Sequence, residues 1–267
     1  MMRRRSSSSN NGAMLRLLFG LAIGAFSLFS YFASSQYNEV TGENQRVSMT
    51  PRQEIALGLQ SAPSLIQEYG GEFRDSEVQD AIDQIGFELV NNSFAAEQPW
   101  QWEFTVLDSD VLNAFALPGG QVFITTEMLS RLDTVDQVAG VLSHEIVHVL
   151  ARHGAQRVAQ NELTNGLIGA VSVAAGDANA AQTAAMIAQL INLQYGREDE
   201  LQSDSLGVCI MIDAGYDPQG MIGVQEVLRD ASGGQRQPEF FSSHPDPGNR
   251  IAQIEEAIRN SDTFCPQ

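Results

Sequence analysis

Lysine is absent from this 267-residue chain. All 15 basic residues are arginines, set against 33 acidic residues, so the formal net charge at pH 7 is −18. Residues 1–35 hold four of the arginines and no acid, which leaves −22 on the remainder. A domain this acidic repels phosphate groups. The composition therefore argues against nucleic acid and anionic lipid as partners of the folded part.

Cysteine is scarce, with only Cys209 and Cys265 in the chain. Cys209 lies in the apolar run 208–212, which is typical of a buried free thiol. The alternative is a disulfide between the two cysteines that pins the C-terminal tail. That alternative requires a domain outside the cytoplasm, because disulfides persist in oxidising compartments. Neither cysteine is needed as a metal ligand.

Charge is missing from residues 17–33, a long apolar run near the N-terminus. A cleaved signal peptide has an apolar region of about 7–15 residues, whereas a spanning helix needs about 17–25. We interpret residues 1–35 as a basic head and an uncleaved signal anchor. Residues 17–33 then contact the membrane, and the rest of the chain lies outside the cytoplasm, on the periplasmic side.

Two other interpretations of this head remain open. The small residues Ala33 and Ser35 suit a signal-peptide cleavage site, which would give a secreted protein. An arginine- and serine-rich start without acids is also found in mitochondrial transit peptides. The apolar run is too uniform for the amphipathic presequence that a transit peptide needs, so this interpretation ranks third.

Residues 36–50 are predicted to be a polar linker, and residues 51–267 one domain. Thr50 and Pro51 predict the start of a helix, with threonine at the cap and proline in the first turn. Residues 76–90 predict a second, amphipathic helix. We expect these helices to pack on the rest of the domain, since the alternative, a separate binding module, has no motif to support it.

The most informative stretch is residues 141–150, which contains His144, Glu145 and His148 in the order H-E-x-x-H. Residues four apart on a helix share a face, so the two histidines can hold one metal ion. Glu145 lies about 100° round the helix, near enough to reach water on that metal. Zinc can lower the pKa of bound water to about 7, and a neighbouring carboxylate can then take the proton. The alternative is a core helix whose histidines only form hydrogen bonds.

The motif is informative only on a helix. Thr134 and Gln137 predict a capping box at the helix start, and Gly154 predicts its end. His153 is nine residues from His144, about 180° round such a helix. We therefore interpret His153 as a structural residue or a helix cap that cannot share the metal face.

Two histidines leave zinc short of ligands. Glu200 and Asp204 are four residues apart on a predicted helix. Glu200 can ligate the metal, and Asp204 can hold a ligand histidine through its other ring nitrogen. Glu198 and Asp199 are the next candidates for the third ligand.

Four ordered motifs carry a family resemblance: H-E-x-x-H at 144–148, E-x-x-x-D at 200–204, Ala-Gly-Tyr-Asp-Pro at 214–218, and Ser-His-Pro-Asp-Pro-Gly-Asn-Arg-Ile at 243–251. In this order they resemble the HtpX-like and BepA-like zinc metalloproteases of the gluzincin group, over residues 51–258. One departure is Gln202-Ser203 in place of the family's Glu-Ala. Neither position is a ligand in the family pattern.

The resemblance implies an α+β fold: a mainly helical zincin-type domain with a small β-sheet. It implies one Zn²⁺ per chain, held by His144, His148 and Glu200. The implied activity is that of an endopeptidase cleaving misfolded or misassembled membrane or envelope proteins, with water on the zinc as nucleophile and Glu145 as its base. The alternative is a chaperone-like peptide-binding protein with a self-inhibited zinc site, or a zinc hydrolase acting on a non-peptide bond.

The peptide substrate has a predicted place. Strands are predicted at 100–106 and 121–125, and in the family the segment between them is an edge strand beside the metal. Asn113 and Ala114 are therefore the implied substrate-binding residues, because an edge strand can pair with an extended peptide. The alternative is a plain hairpin with a Pro-Gly-Gly turn.

The resemblance also implies roles for two further segments, one with His244 and Arg250 and the other at residues 163–193. From its spacing, His244 is an exposed loop residue, but the family implies that it approaches the zinc as a fourth ligand. Such a site is closed to water, so His244 would have to leave, and either it or Arg250 could then donate to the oxyanion. Residues 163–193 are either a core helical hairpin or a flap over the cleft.

Overall fold

The computed structural model describes residues 8–175, 196–233, 239–245 and 248–266. Two compact units are present, one of residues 1–37, 43–48 and 156–193 and the other of the remaining residues. The elements in chain order are α1 (Ser8–Ala33), β1 (Ser35–Asn38), β2 (Glu43–Arg46), α2 (Pro51–Glu68), α3 (Ser76–Asn91), a 3-10 turn (Phe94–Glu97), β3 (Glu103–Leu107), β4 (Ala114–Ala116), β5 (Gln121–Thr125), α4 (Thr126–Arg131), α5 (Val135–Leu150), α6 (His153–Ala175), α7 (Arg197–Asp213), α8 (Gln219–Ser232), α9 (Phe240–Ser243), α10 (Arg250–Arg259) and α11 (Ser261–Phe264).

In the first unit, helix α1 packs against helix α6 through small residues. A side chain on Gly20 would meet the carbonyl of Ala170, and one on Gly166 would meet Ser27. Gly12–Ala33 is 22 residues long with a mean hydropathy of 1.8, long and apolar enough to cross a membrane. A signal sequence near the N-terminus can meet the same criterion, so this property does not separate an anchor from a signal.

The structure differs from the predicted linker at residues 36–50, because strands β1 and β2 pair there. Two local features make the turn between them: the side chain of Asn38 accepts from the backbone N–H of Val40, and Gly42 has φ of 69°. Asparagine closing its own turn and glycine at positive φ are the usual chemistry of a hairpin turn. Residues 156–175, predicted as part of the domain 51–267, belong to the first unit.

The second unit has a three-stranded sheet in the order β3-β5-β4. Strands β3 and β5 are parallel, whereas β4 pairs with β5 in the antiparallel direction and forms an edge. Helix α5 lies at the centre of the core, and residues 139–150 of it are all buried. The predicted α+β fold, mainly helical with a small sheet, is confirmed.

Helix α5 begins as its sequence predicts. The side chain of Thr134 accepts a hydrogen bond from the backbone N–H of Gln137. In return, the side chain of Gln137 accepts one from the backbone N–H of Thr134. The end differs from the prediction: the helix stops at Leu150, and Gly154 lies inside α6. Between the two helices Arg152 takes the left-handed conformation, with φ of 55°. A buried ion pair fixes this turn, since the Arg152 Nε donates to Glu54 at 2.8 Å.

Helix α7 crosses close to α5 because small residues face each other. A side chain on Gly207 would lie 3.3 Å from Ser143 Oγ and 3.4 Å from the backbone nitrogen of His144. This approach brings the N-terminal half of α7 against the histidine face of α5. Two predicted site segments, far apart in sequence, therefore become neighbours.

A disulfide joins Cys209 of α7 to Cys265 in the tail. The structure thus selects the disulfide over the free thiol, although Cys209 is fully buried as an apolar environment predicts. The bridge spans 56 residues of sequence. Closing a loop of that size in the unfolded chain stabilises the fold by about 4 kcal/mol on chain-entropy arguments. The crosslink therefore fixes the C-terminal helices to the helix that carries Glu200.

Candidate active site

The predicted metal ligands meet at one buried point between helices α5 and α7. His144 and His148, one turn apart on α5, place their Nε2 atoms 3.0 Å from each other. The carboxylate of Glu200 on α7 lies 3.4 Å from Nε2 of His144 and 3.5 Å from Nε2 of His148. The structure thus brings together the three residues that the two sequence motifs single out.

His244 joins this cluster from the segment 239–245. Its Nδ1 atom lies 3.0 Å from Glu200 Oε1 and 3.4 Å from Nε2 of His144. The ligand atoms of His144, His148, Glu200 and His244 all lie within 4.8 Å of one another, and all four residues are buried. The spacing-based interpretation of His244 as an exposed loop residue is therefore wrong. Its position beside the other ligands is the one that the resemblance implies.

The charges around the cluster fit a divalent cation. Glu145, Glu200 and Asp204 bury three carboxylates, and Arg250 supplies a guanidinium to two of them. Burying charge without compensation is costly. A divalent ion would restore the balance, and two imidazole nitrogens with a carboxylate form a donor set that suits zinc.

Glu145 is the one carboxylate of the site that lacks hydrogen bonds within the described residues. Both of its oxygens are buried without a donor, and Nε2 of His244 lies 3.6 Å from Oε1. Burial raises the pKa of Glu145, although the charges of His244 and His144 oppose this. Leaving a buried carboxylate unsatisfied is expensive, so such a group points to a function.

Asp204 holds the outer side of His144. Its Oδ1 lies 3.0 Å from Nδ1 of His144, as the spacing predicts for a carboxylate that orients a ligand. Arg250 grips the same carboxylate with two bonds, from Nε at 2.7 Å and Nη2 at 2.6 Å. Although burial alone would raise it, the guanidinium keeps the pKa of Asp204 below its usual range.

The contacts of Arg250 differ from the predicted role in catalysis. The side chain is buried, forked onto Asp204, and its Nη1 lies 3.3 Å from Oε2 of Glu200. An oxyanion donor must point at the substrate. Arg250 instead ties together the two carboxylates of α7, so these contacts support a positioning role.

The model of peptidase family M48 matches residues 76–258, which includes every residue of the cluster. The chain belongs to peptidase family M48. The predicted family resemblance is thereby confirmed.

Among the M48 relatives is the beta-barrel assembly-enhancing protease of Escherichia coli (strain K12), 30% identical over 182 residues, which cover 64% of this chain and 37% of the relative. The mitochondrial metalloendopeptidase OMA1 of Schizosaccharomyces pombe is 32% identical over 158 residues, 58% of this chain and 46% of the relative. The human mitochondrial metalloendopeptidase OMA1 is 25% identical over 263 residues, 91% of this chain and 50% of the relative. The chain thus spans half or less of the length of these relatives.

The predicted edge strand is present beside the M48 site, but the residues with outward-facing backbone groups differ from the predicted pair, Asn113 and Ala114. Asn113 is buried; its carbonyl accepts from Thr125, and its side chain donates to the hydroxyl of Tyr69. Backbone groups alternate in direction along an antiparallel strand, so the N–H and C=O of Ala114 and Ala116 point away from β5. The open edge therefore consists of Ala114 and Ala116, and Asn113 is an internal residue.

The segment that carries His244 is attached to this edge. The backbone N–H of Phe240 donates to the carbonyl of Leu112, and the Phe240 ring stacks on His244 at 4.4 Å between centroids. The hydroxyl of Tyr69 donates to Glu239 at 2.9 Å. Burial, with the hydrogen bond to Glu239, raises the pKa of Tyr69 to about 12, so this donor keeps its proton. One end of the segment 239–245 thus contacts Leu112 and Tyr69 beside strand β4, and the other end contacts the cluster of His144 and Glu200.

His153 is a site residue that the sequence interpretation missed. Its Nδ1 lies 2.9 Å from Nδ1 of His148, and its Nε2 lies 3.0 Å from Oε1 of Gln202. The helical extrapolation does not apply because α5 ends at Leu150 and Arg152 takes the left-handed conformation, so His153 does not continue that helix. The signal in the sequence is composition: the chain has only four histidines, and His153 lies five residues after His148 of the metal motif.

The predicted hairpin or flap, residues 163–193, is settled only in part. Its first residues, up to Ala175, continue helix α6 within the first unit. Residues 176–193 lie outside the described part of the chain. Any role as a flap over the cleft therefore stays a prediction.

Proposed function

We propose that this M48 chain is a zinc-dependent endopeptidase in which His144, His148 and Glu200 hold the metal. The observation that carries the proposal is the carboxylate of Glu145. It is fully buried beside the converging ligand atoms and has no hydrogen-bond donor of its own in the described residues. A structural metal site has no use for such a group, whereas hydrolysis needs a base at this point.

The zinc, when bound, would polarise the scissile carbonyl and lower the pKa of water. Glu145 accepts the proton of the attacking water and then donates it to the leaving amine. Burial raises the pKa of Glu145, and a carboxylate with a raised pKa is a better proton acceptor when it acts as a general base. Asp204, fixed by Arg250, holds the ring of His144 in place during both steps.

The substrate in this proposal is an extended polypeptide. Ala114 and Ala116 offer their backbone groups to a peptide that adds as a further strand on β4, which packs against helix α5. Backbone pairing recognises extended chains with little regard to sequence. Misfolded or misassembled membrane and envelope proteins expose such segments, and they are the substrates that the family resemblance implies.

His244 in this proposal is a self-inhibitory gate. With His144, His148 and Glu200 it would complete a closed tetrahedral site with no position for water. The segment 239–245 is held at Leu112 and Tyr69, next to the edge that receives the peptide. Peptide binding on that edge can therefore disturb the segment and release His244 from the metal.

The full-length chain in detergent, incubated with casein, tests the endopeptidase proposal. We expect cleavage that a zinc chelator abolishes and added zinc restores. Cleavage that survives complete removal of zinc would contradict the metal mechanism. Casein that binds without being cut, even after removal of the His244 side chain, would favour the chaperone-like alternative.

We further propose that α1 anchors the chain and that the catalytic unit lies outside the cytoplasm. The apolar length of Gly12–Ala33 supports the anchor. The disulfide between Cys209 and Cys265 supports the compartment, since such bonds are rare in the reducing cytosol.

The anchor predicts a definite fractionation result. Protein recovered from cells should keep residues 1–33 and should stay in the membrane pellet after alkaline carbonate extraction, because a spanning helix is held by the hydrophobic effect rather than by charge. N-terminal sequencing and immunoblotting of the two fractions measure this. A soluble protein that begins at Gln36 would overturn the anchor in favour of a cleaved signal.

A further inference from the structure

Every histidine of the chain lies in the active site. Three of the four offer a nitrogen to the metal cluster. The fourth, His153, is fully buried and meets His148 on the side away from that cluster, with the two Nδ1 atoms 2.9 Å apart. On its far side His153 meets Gln202 of helix α7, with Nε2 3.0 Å from Oε1. These contacts form a line from helix α7 through His153 to a metal ligand.

The positions of the protons along this line follow from the chemistry of imidazole. His148 turns its Nε2 toward the cluster, 3.0 Å from Nε2 of His144. If His148 holds the metal through Nε2, its ring proton stays on Nδ1. Two ring nitrogens at hydrogen-bond distance share one proton, so Nδ1 of His153 must accept. The proton of His153 is then on Nε2 and is donated to the side-chain oxygen of Gln202.

We propose that His153 and Gln202 are positioning residues, a neutral hydrogen-bonded pair that fixes the ring orientation and tautomer of His148. The proposal rests on the metal assignment of the proposed function. It gives the two histidine ligands different supports. His144 contacts the carboxylate of Asp204. His148 instead contacts the imidazole of His153, which in turn contacts the side-chain amide of Gln202. Removing a partner of this kind usually weakens metal binding about 10–100-fold.

The carboxylate of Asp199 also lies near His153. Asp199 lies 3.7 Å from Nε2 of His153, and its side chain is partly exposed to solvent. The oxygen of Gln202 is closer to the same nitrogen and within hydrogen-bond distance. Gln202 is therefore the acceptor, and Asp199 adds at most a screened attraction.

Zinc affinity of the full-length chain, measured by chelator competition, tests the role of His153. His153→Leu should bind zinc about 10–100-fold more weakly, because Nδ1 of His148 loses its acceptor. His153→Asn places a side-chain oxygen where Nδ1 was and should restore most of the affinity. Gln202→Leu should have a smaller effect in the same direction, and Gln60→Leu on helix α2 is the matched control.

A merely structural role for His153 predicts a different pattern. Its removal would then lower the thermal midpoint of the metal-free protein and leave the zinc affinity of the folded fraction unchanged. Equal zinc affinities for the folded His153→Leu and unaltered chains would overturn the proposal. So would a loss that His153→Asn fails to restore.

The tautomers can be read directly, without any variant that must fold. With ¹⁵N-labelled histidine the zinc-loaded chain has only four imidazole rings to resolve. We expect the proton of His153 on Nε2 and that of His148 on Nδ1. A proton on Nδ1 of His153 would refute the proposed positioning of His148 by His153 and Gln202. Both readouts are independent of cleavage, so a chain that binds zinc this way yet cuts no peptide would sink only the proposed function.

Discussion

Glu145→Gln should bind zinc as the unaltered chain does and should lose casein cleavage by about three orders of magnitude. Glutamine has the same shape as glutamate but cannot accept the proton of water. The carboxylate has no hydrogen-bond donor in the described residues, so the change removes no bond that holds the fold. The effect should therefore fall on the turnover number, with zinc content and thermal stability preserved.

This prediction is checked by measuring zinc content by mass spectrometry and initial cleavage rates on the same samples. Glu200→Ala is the contrasting variant, since it removes a ligand and should lower zinc content as well as activity. Cleavage retained in Glu145→Gln would contradict the mechanism. Stoichiometric zinc in Glu200→Ala would contradict the ligand set, and Glu198 and Asp199 would be examined next.

His244→Ala should raise basal cleavage of casein or of the chain itself. The expected increase is about 10–100-fold if only about 1–10% of the unaltered molecules are in the open state. The side chain is fully buried among His144, Glu145 and Glu200. Its removal leaves three metal ligands and opens a position for water. Zinc should stay bound, because the remaining ligands lie on two rigid helices that a disulfide and a buried core support.

Ser242→Ala, an exposed change on the same segment, is the control for this measurement. The double variant with Glu145→Gln should be inactive, which would assign any gain to this site. If His244→Ala lowers activity with zinc unchanged, His244 stabilises the transition state and is no gate. If neither rate nor zinc geometry changes, His244 takes no part in the reaction.

Several features follow from the sequence because they lie within single elements. The capping box at Thr134 fixes the start of α5, and helical spacing then places His144 and His148 on one face. The same spacing puts Glu200 and Asp204 on one face of α7. Inside a helix the backbone alone sets which side chains are neighbours, so a pattern of residues is already a geometry.

Other parts of the site depend on contacts between elements, which no local pattern encodes. Spacing left His244 as an exposed loop residue, and the packing of the segment 239–245 beside Leu112 and Tyr69 buries it. Helical extrapolation placed His153 away from the metal face; it does lie outside the ligand cluster, but it contacts Nδ1 of His148, which the extrapolation did not predict. Arg250 was expected as an alternative donor to the oxyanion, and the approach of α10 to α7 instead directs it to Asp204.

By itself, then, the sequence determined the family, through four ordered motifs, and the shared helix face of His144 and His148, which lie about one turn apart. The tertiary structure alone decided which partner each outer side chain meets: Gln202 for His153, Asp204 for Arg250, and Cys265 for Cys209. Each of these pairs is separated by tens of residues, so its formation depends on how α7 packs against the rest of the unit. The close crossing at Gly207, where no side chain holds α7 away from α5, is the physical reason that the ligands converge.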